Sequence, residues 1–289
     1  MQKGQIIKAI AGVYFVESDN AIYQCKARGK FRKDQFKPLV GDHCEFSIEN
    51  ETEGYIYKVA PRKNQLVRPA ISNIDQALLV FSAKEPDMNY ILLDRFLALI
   101  EHHQIKPIIC VSKIDLANDA KEMMKSYHDA GYEIYYVSSK DNQGIETIKE
   151  LFKNKTTVIT GQSGVGKSSL LNALNIDLNL ETNEISKALG RGKHTTRHVE
   201  LFKMYDGYIA DTPGFSSLEL TMLPTELAVA YHDFEELSSM CKYRGCLHDK
   251  EPHCAIKQAV EDGSISKDRY EHYLMFLKEV KDLKERMYD

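Results

Sequence analysis

The chain changes its hydrophobic rhythm after the first quarter. Up to about residue 64, apolar and polar positions alternate in short β-rich runs: Ile6 to Ile10, Val13 to Glu17, Ala21 to Lys26 and His43 to Glu49. Gly12, Asp19-Asn20, Gly41-Asp42 and Glu53-Gly54 punctuate them. Period-two alternation broken by turn residues every ~8–12 positions predicts a small barrel, best matched by a five-stranded OB-like one. From about residue 70 the rhythm becomes strand, helix, strand. Gln76 to Ser82, Pro107 to Val111, Ile134 to Val137 and Thr157 to Thr160 read as strands. Tyr90 to His103, Asn118 to Ala130 and Ile145 to Phe152 carry helical spacing. Such alternation predicts an α/β domain with a parallel sheet. Val199 to Met204 and Tyr208 to Ala210 add two strands, and from about 224 the chain reads helical, ending in a long amphipathic helix from Lys267 to Met287.

Composition narrows the class without changing this picture. The 289 residues are 43% hydrophobic and 28% charged, ordinary for a globular protein. No apolar run approaches the ~20 residues of a membrane span, and the N-terminus lacks the apolar block of a signal peptide. A cytoplasmic protein is expected, so the six cysteines are not read as a disulfide framework. Cys25, Cys44 and Cys110 are scattered and read as core residues. The net charge of −4 means that a nucleic-acid partner needs a local basic patch. Arg28, Lys30 and Arg32 around Phe31, in a hairpin-like stretch, form one: cations for phosphates and a ring to stack on a base. A solvated charged loop explains the same residues equally well.

The chemistry concentrates in four segments. Gly161-Gln162-Ser163-Gly164-Val165-Gly166-Lys167-Ser168 fits G-x-x-x-x-G-K-[ST], after an apolar strand and before a helix beginning at Ser169. Its amides would cradle phosphates, Lys167 would reach the β/γ oxygens, and Ser168 would offer its hydroxyl to Mg²⁺. Asp211-Thr212-Pro213-Gly214 follows a strand; Asp211 is placed to hold Mg²⁺ through water and Gly214 to meet a γ-phosphate. Ser112-Lys113-Ile114-Asp115 follows another strand, and Asp115 can accept from guanine N1–H and the exocyclic amine, which adenine cannot supply. Ser138-Ser139-Lys140, at the next strand end, could direct a backbone N–H to the guanine O6. These features predict a GTP hydrolase. A P-loop kinase and a GTP-dependent scaffold that barely hydrolyses are the rivals.

Ordinary GTPases run phosphate loop, switch I, D-x-x-G, base motif, serine-rich base loop. Here the order is Ser112 to Asp115, Ser138 to Lys140, Gly161 to Ser168, Gly192 to Thr196, Asp211 to Gly214. That is a circular permutation. With Ala27 to Arg32, Pro38 to Asp42 and Leu92 to Phe96, it resembles the ribosome small-subunit-dependent GTPase A family (RsgA, also called YjeQ or YloQ) over essentially the whole chain. The resemblance implies three parts: an OB-fold RNA-binding barrel at 1–66, a permuted GTPase domain at 67–222 and a zinc-binding helical domain at 223–289. It implies a cytoplasmic factor in late maturation of the 30S subunit that contacts 16S rRNA and is stimulated by that subunit. The expected ligands are guanine nucleotides: GTP with Mg²⁺, GDP, and the alarmone ppGpp in the same pocket. A monomer is expected.

Switch I is expected at 190–197. Thr195 or Thr196 can complete the Mg²⁺ shell, and the resemblance favours Thr196. It also implies that His194 orients the attacking water, since Phe215 stands where many GTPases carry a glutamine. Ser112 stands where the general motif has Asn; Ser is too short both to bond the purine N7 and to brace the phosphate loop. Finally, Cys241-x₄-Cys246-x-His248-x₅-Cys254 suits one closed, tetrahedral, structural Zn²⁺ site. His253 is a rival to His248 as the nitrogen ligand, and the resemblance favours the same spacing.

Overall fold

Strands β1 (Gln2–Ile10), β2 (Val13–Ser18) and β3 (Ala21–Ala27) form an antiparallel meander; burial alternates along β2, whereas β1 buries both Ile6 and Ile7 where its register with β2 shifts. A short helix α1 (Gly29–Lys33) leads to β4 (His43–Ile48) and β5 (Glu53–Val59). β3 pairs with β5 in parallel, β5 with β4, and β4 returns to β1, closing an OB-like five-stranded barrel. Ile6, Val16, Cys25, Phe46 and Ile56 fill it. The structure is a computed structural model that describes residues 1–67, 69–175, 199–211 and 219–286, without the side chains of Arg32, Asn175, Asp211 and Arg286.

Two details of the barrel differ from the alternation pattern. Glu53-Gly54 reads as a turn, yet it opens β5. A Cβ on Gly54 would lie 2.2 Å from the Ser47 carbonyl oxygen, so this glycine permits a close strand approach rather than a bend. The basic stretch is not a hairpin but α1, because β3 and β4 are not neighbours and the connection must cross the barrel end. Beyond the barrel, the buried Asp42 accepts from Arg62 Nε at 2.7 Å, Ser72 Oγ at 2.6 Å and the Leu39 amide at 2.8 Å, tying the exit loop down.

The remaining elements follow in order: β6 (Gln65–Leu66), β7 (Ile71–Ser72), β8 (Gln76–Ser82), α2 (Tyr90–His102) and β9 (Lys106–Ser112). Then come α3 (Ala120–Met123), α4 (Lys125–Asp129), β10 (Ile134–Tyr136), α5 (Ile145–Phe152), β11 (Thr156–Thr160) and α6 (Lys167–Asn175). Last are β12 (Glu200–Met204), β13 (Gly207–Asp211), α7 (Pro224–Leu227), α8 (His232–Ser238), α9 (Ala255–Glu261) and α10 (Lys267–Arg286). The single helix expected over 118–130 is two, α3 and α4, broken at Met124, whose side chain is fully buried and whose backbone (φ −102, ψ 8) leaves the helix. Tertiary burial overrides helix propensity there.

Contacts divide the described chain into two compact units. The first comprises residues 1–77, 146–160 and the described part of 167–217. In it the barrel continues through β1 into β12, β13 and β11. β1 and β12 meet at Lys8 and Glu200, whose side chains also pair at 2.9 Å. The second comprises residues 78–145, 161–166 and the described part of 218–289. It holds β10-β9-β8, with α2 packed against α7 and α10. Among the described residues, no helix is long and apolar enough to cross a membrane.

Candidate functional site

β9 ends at Ser112, and the chain turns through Lys113 in the left-handed region (φ 55) into a 3-10 turn, Ile114–Leu116, that presents Asp115 to solvent. The Val137 amide donates to the Val111 carbonyl at 2.8 Å, and the Val137 carbonyl accepts from the Ile114 amide at 3.3 Å. These bonds set the Ser112–Asp115 loop beside the Ser138–Lys140 loop at the carboxyl ends of two parallel strands, where open α/β sheets bind ligands. Ser138 is buried. Its hydroxyl accepts the Asp141 amide at 3.2 Å, while its backbone exchanges two 3.0 Å bonds with Gln143, leaving Ser139 half-buried and Lys140 exposed.

The loop from Gly161 to Gly166 follows the buried β11. Gly161 has φ 145, and a Cβ there would lie 1.9 Å from the Val80 carbonyl oxygen, so only glycine fits. Ser112 Oγ lies 2.5 Å from the Val165 carbonyl oxygen and 3.2 Å from that of Phe81. Lys113 Nζ donates to the Gly164 carbonyl at 2.8 Å and to the Glu85 carbonyl. The base-loop residues therefore brace the loop expected to hold phosphate. The parts played by Lys113 and Glu85 were not visible in the sequence, because their partners are carbonyls, which carry no residue signature. Gln162 is half-buried and Ser163 exposed.

α6 begins at Lys167, so Ser168 and Ser169 stand in a first turn whose amides have no partner inside the helix, the usual seat of an anion. Partial burial lowers the Lys167 ammonium from its ordinary value, and a phosphate would restore it. β13 ends at Asp211. His194, Thr195, Thr196 and Gly214 lie outside the described residues, as do Phe215 and the Asp211 side chain.

Cys241, Cys246, His248 and Cys254 bring their donor atoms within 4.8 Å of one another. Cys241 Sγ is 3.8 Å from Cys254 Sγ, and His248 Nδ1 is 3.6 and 3.3 Å from those two sulfurs. Ligands ~2.3 Å from a tetrahedral centre stand about 3.8 Å apart, so the set fits a metal ion. His248 Nε2 lies 3.1 Å from the Ala228 carbonyl, to which it can only donate, which leaves the Nδ1 lone pair facing the sulfurs. His253 is exposed and outside the cluster. Burial raises the Cys246 and Cys254 thiols, and burial lowers His248 toward the neutral imidazole. Cys254 caps α9 and Cys241 follows α8, so the cluster joins two helices. Cys25, Cys44 and Cys110 are buried core thiols; burial pushes Cys110 up to about 12.

In the barrel, the exposed Arg28 guanidinium lies 3.6 Å above the Tyr57 ring, and Lys30 points to solvent. Phe31 is half-buried. Its ring packs against the barrel core and lies 5.9 Å from that of Phe36. The Arg32 side chain is outside the described residues.

The family model for the RsgA GTPase matches residues 59–221, and that for the RsgA N-terminal domain matches residues 3–56. The chain is 54% identical to the small ribosomal subunit biogenesis GTPase RsgA of Bacillus velezensis, covering 99% of this chain and all of that one. It is 52% identical to the protein of that name in Bacillus subtilis, with the same coverage. Among solved structures, it is similar to YloQ, described as a circularly permuted GTPase, with a TM-score of 0.82, 45% identity, and coverage of 98% of this chain and 96% of that one. It is also similar to YjeQ from Thermotoga maritima, with a TM-score of 0.84, 35% identity, and coverage of 96% and 98%.

Proposed function

The chain belongs to the RsgA GTPase family, and from that premise we propose that it hydrolyses GTP while assisting late maturation of the 30S ribosomal subunit, whose 16S rRNA it contacts. One observation carries the nucleotide reading: Ser112 and Lys113 grip the carbonyls of Val165 and Gly164, so a base-reading loop and a phosphate-binding loop form one braced assembly. A kinase reading gives no reason for that lacing to sit beside Asp115.

In this reading Asp115 accepts from the guanine N1–H and amine, and the amides of the Ser138–Lys140 loop face O6. Amides of the Gly161–Ser169 segment hold the phosphates, and Lys167 neutralises the β/γ oxygens. Ser168, Thr196 and Asp211 would hold Mg²⁺, and Gly214 would meet the γ-phosphate. When bound, Mg²⁺ would neutralise phosphate charge. His194 orients water, because Phe215 has no group to do so. GDP and ppGpp would occupy the same pocket.

We place the domain limits at 1–66, 67–222 and 223–289; the end of the GTPase family model at residue 221 supports the second limit, while the two models meet between residues 56 and 59, ahead of the first. The metal is read as one structural Zn²⁺ on Cys241, Cys246, His248 and Cys254, since three thiolates and an imidazole leave no open position. Arg28, Lys30 and Arg32 are read as phosphate contacts to rRNA, and Phe31 beside them as a base contact. The protein is read as a cytoplasmic monomer. The test is GTP turnover titrated with purified 30S, 50S and 70S particles. Stimulation by 30S alone is expected, and equal turnover with and without 30S would overturn the reading.

A further inference from the structure

The one side chain of the base-reading loop that departs from the general GTPase pattern is also the most tightly held. Ser112 is 3% exposed, and its hydroxyl sits between two carbonyl oxygens, Val165 at 2.5 Å and Phe81 at 3.2 Å. A hydroxyl has a single proton. Both neighbours only accept, so that proton is committed to one of them, and distance assigns it to Val165. An asparagine amide has two protons and could brace Val165 while keeping one for a purine nitrogen. Ser112 has none left. Lys113 is no substitute, because its ammonium is drawn away to the Gly164 and Glu85 carbonyls.

We propose that Ser112 is a positioning residue that braces the phosphate loop through Val165 and leaves the purine N7 unread, so that guanine selection falls on Asp115 and the Ser138–Lys140 loop alone. The proposal rests on the nucleotide site described above and deepens it. It makes this pocket tolerant at the one edge of guanine that the ordinary Asn motif inspects. Nucleotides altered at position 7 should enter it as readily as GDP.

The experiment compares equilibrium binding of GDP and 7-deaza-GDP, which lacks only the N7 acceptor, to the full-length protein and three variants. The native protein should bind both within about twofold. Ser112→Asn supplies a second donor and should favour GDP over 7-deaza-GDP by about three- to tenfold, the range of one neutral hydrogen bond. Ser112→Ala should weaken both ligands by the same factor, and Ser112→Thr should restore both. The ratio of the two affinities is a readout that a merely structural serine would not move. A native protein that already discriminates about threefold or more against 7-deaza-GDP would overturn the proposal, as would a Ser112→Asn variant, folded by circular dichroism, with an unchanged ratio. If ADP competes as well as GDP in the native protein, the underlying site reading fails, and that result is distinct from either of these.

Discussion

Arg269 Nε lies 3.3 Å from Asp94 Oδ1, and neither side chain reaches solvent, at 3% and 0% exposure. The guanidinium also donates to Asp233 and to the Tyr132 hydroxyl at 3.3 Å, and lies 5.2 Å from the Tyr127 and Tyr132 ring centroids. His272 Nδ1 meets the other Asp94 oxygen at 2.5 Å. This cluster fastens α10 to α2. Removing its one arginine leaves the buried Asp94 with His272 alone and takes the guanidinium from the half-buried Asp233, so Arg269→Met should destabilise the protein by about 3–5 kcal/mol. Urea unfolding followed by far-UV circular dichroism would measure the loss; a midpoint equal to that of the native protein would refute it.

Glu101 gives a pH dependence. Burial pushes its carboxyl up to about 8, although Tyr132 donates to it at 2.8 Å and Arg269 lies beyond; Asp233 adds to the rise. The unfolded chain releases that proton near the ordinary ~4.3. Between those values the folded state binds more protons than the unfolded, so this group makes stability fall as pH rises from about 4.3 toward about 8 and level off above. Glu101→Gln should flatten that slope. Melting temperatures of both proteins at half-unit pH steps would show it, and parallel curves would exclude Glu101 as the source.

Zinc content should be about one per chain and should vanish in Cys254→Ser. Stripping the metal with a chelator should lower the melting temperature, because the sulfurs of Cys241 and Cys254, now 3.8 Å apart, would no longer share a cation between α8 and α9. An apoprotein that melts where the native protein does would show that the cluster staples nothing.

Asp115→Asn should cost about tenfold or more in GDP affinity, the range of a hydrogen bond to a charged group, and shift preference toward xanthosine diphosphate. The 2-oxo group of xanthine accepts from an amide where guanine donates to a carboxylate. Unchanged affinity for GDP in a direct titration would remove Asp115 from the base site.

Lys167→Ala should abolish hydrolysis with native circular dichroism, since its ammonium acts on phosphate rather than on the core. Full turnover in a folded variant would contradict this.

Much of the architecture is legible in the sequence where a local rule and the tertiary environment agree. Gln76 to Ser82 and Ile145 to Phe152 form β8 and α5 over the limits their patterns mark. It fails where one residue answers to a distant neighbour. Gly54 resembles a turn because its reason, the Ser47 carbonyl, is on another strand. Met124 sits among helix formers, yet its burial breaks the helix. At the nucleotide site, residue types announce Asp115 and Lys167, whereas the Val165 and Gly164 carbonyls that Ser112 and Lys113 hold belong to the backbone and leave no trace in the sequence. Phe31 carries an ambiguous signal, because an aromatic between cations serves a core as readily as a nucleobase.

The pairing of Lys8 with Glu200 also orders events in time. Their 192-residue separation means that the first strand is synthesised long before the strand that completes its edge. At ~5–20 residues per second, the nascent barrel waits about 10–40 seconds for β12 to be translated. During that interval β1 already has β2 and β4 as partners, so the closed barrel protects its own apolar lining while its outer edge near Lys8 stays available. Permutation has the same temporal effect on the pocket: Ser112 and Lys113 emerge before the loop they brace, and the nascent chain acquires base-reading residues before it can grip a phosphate.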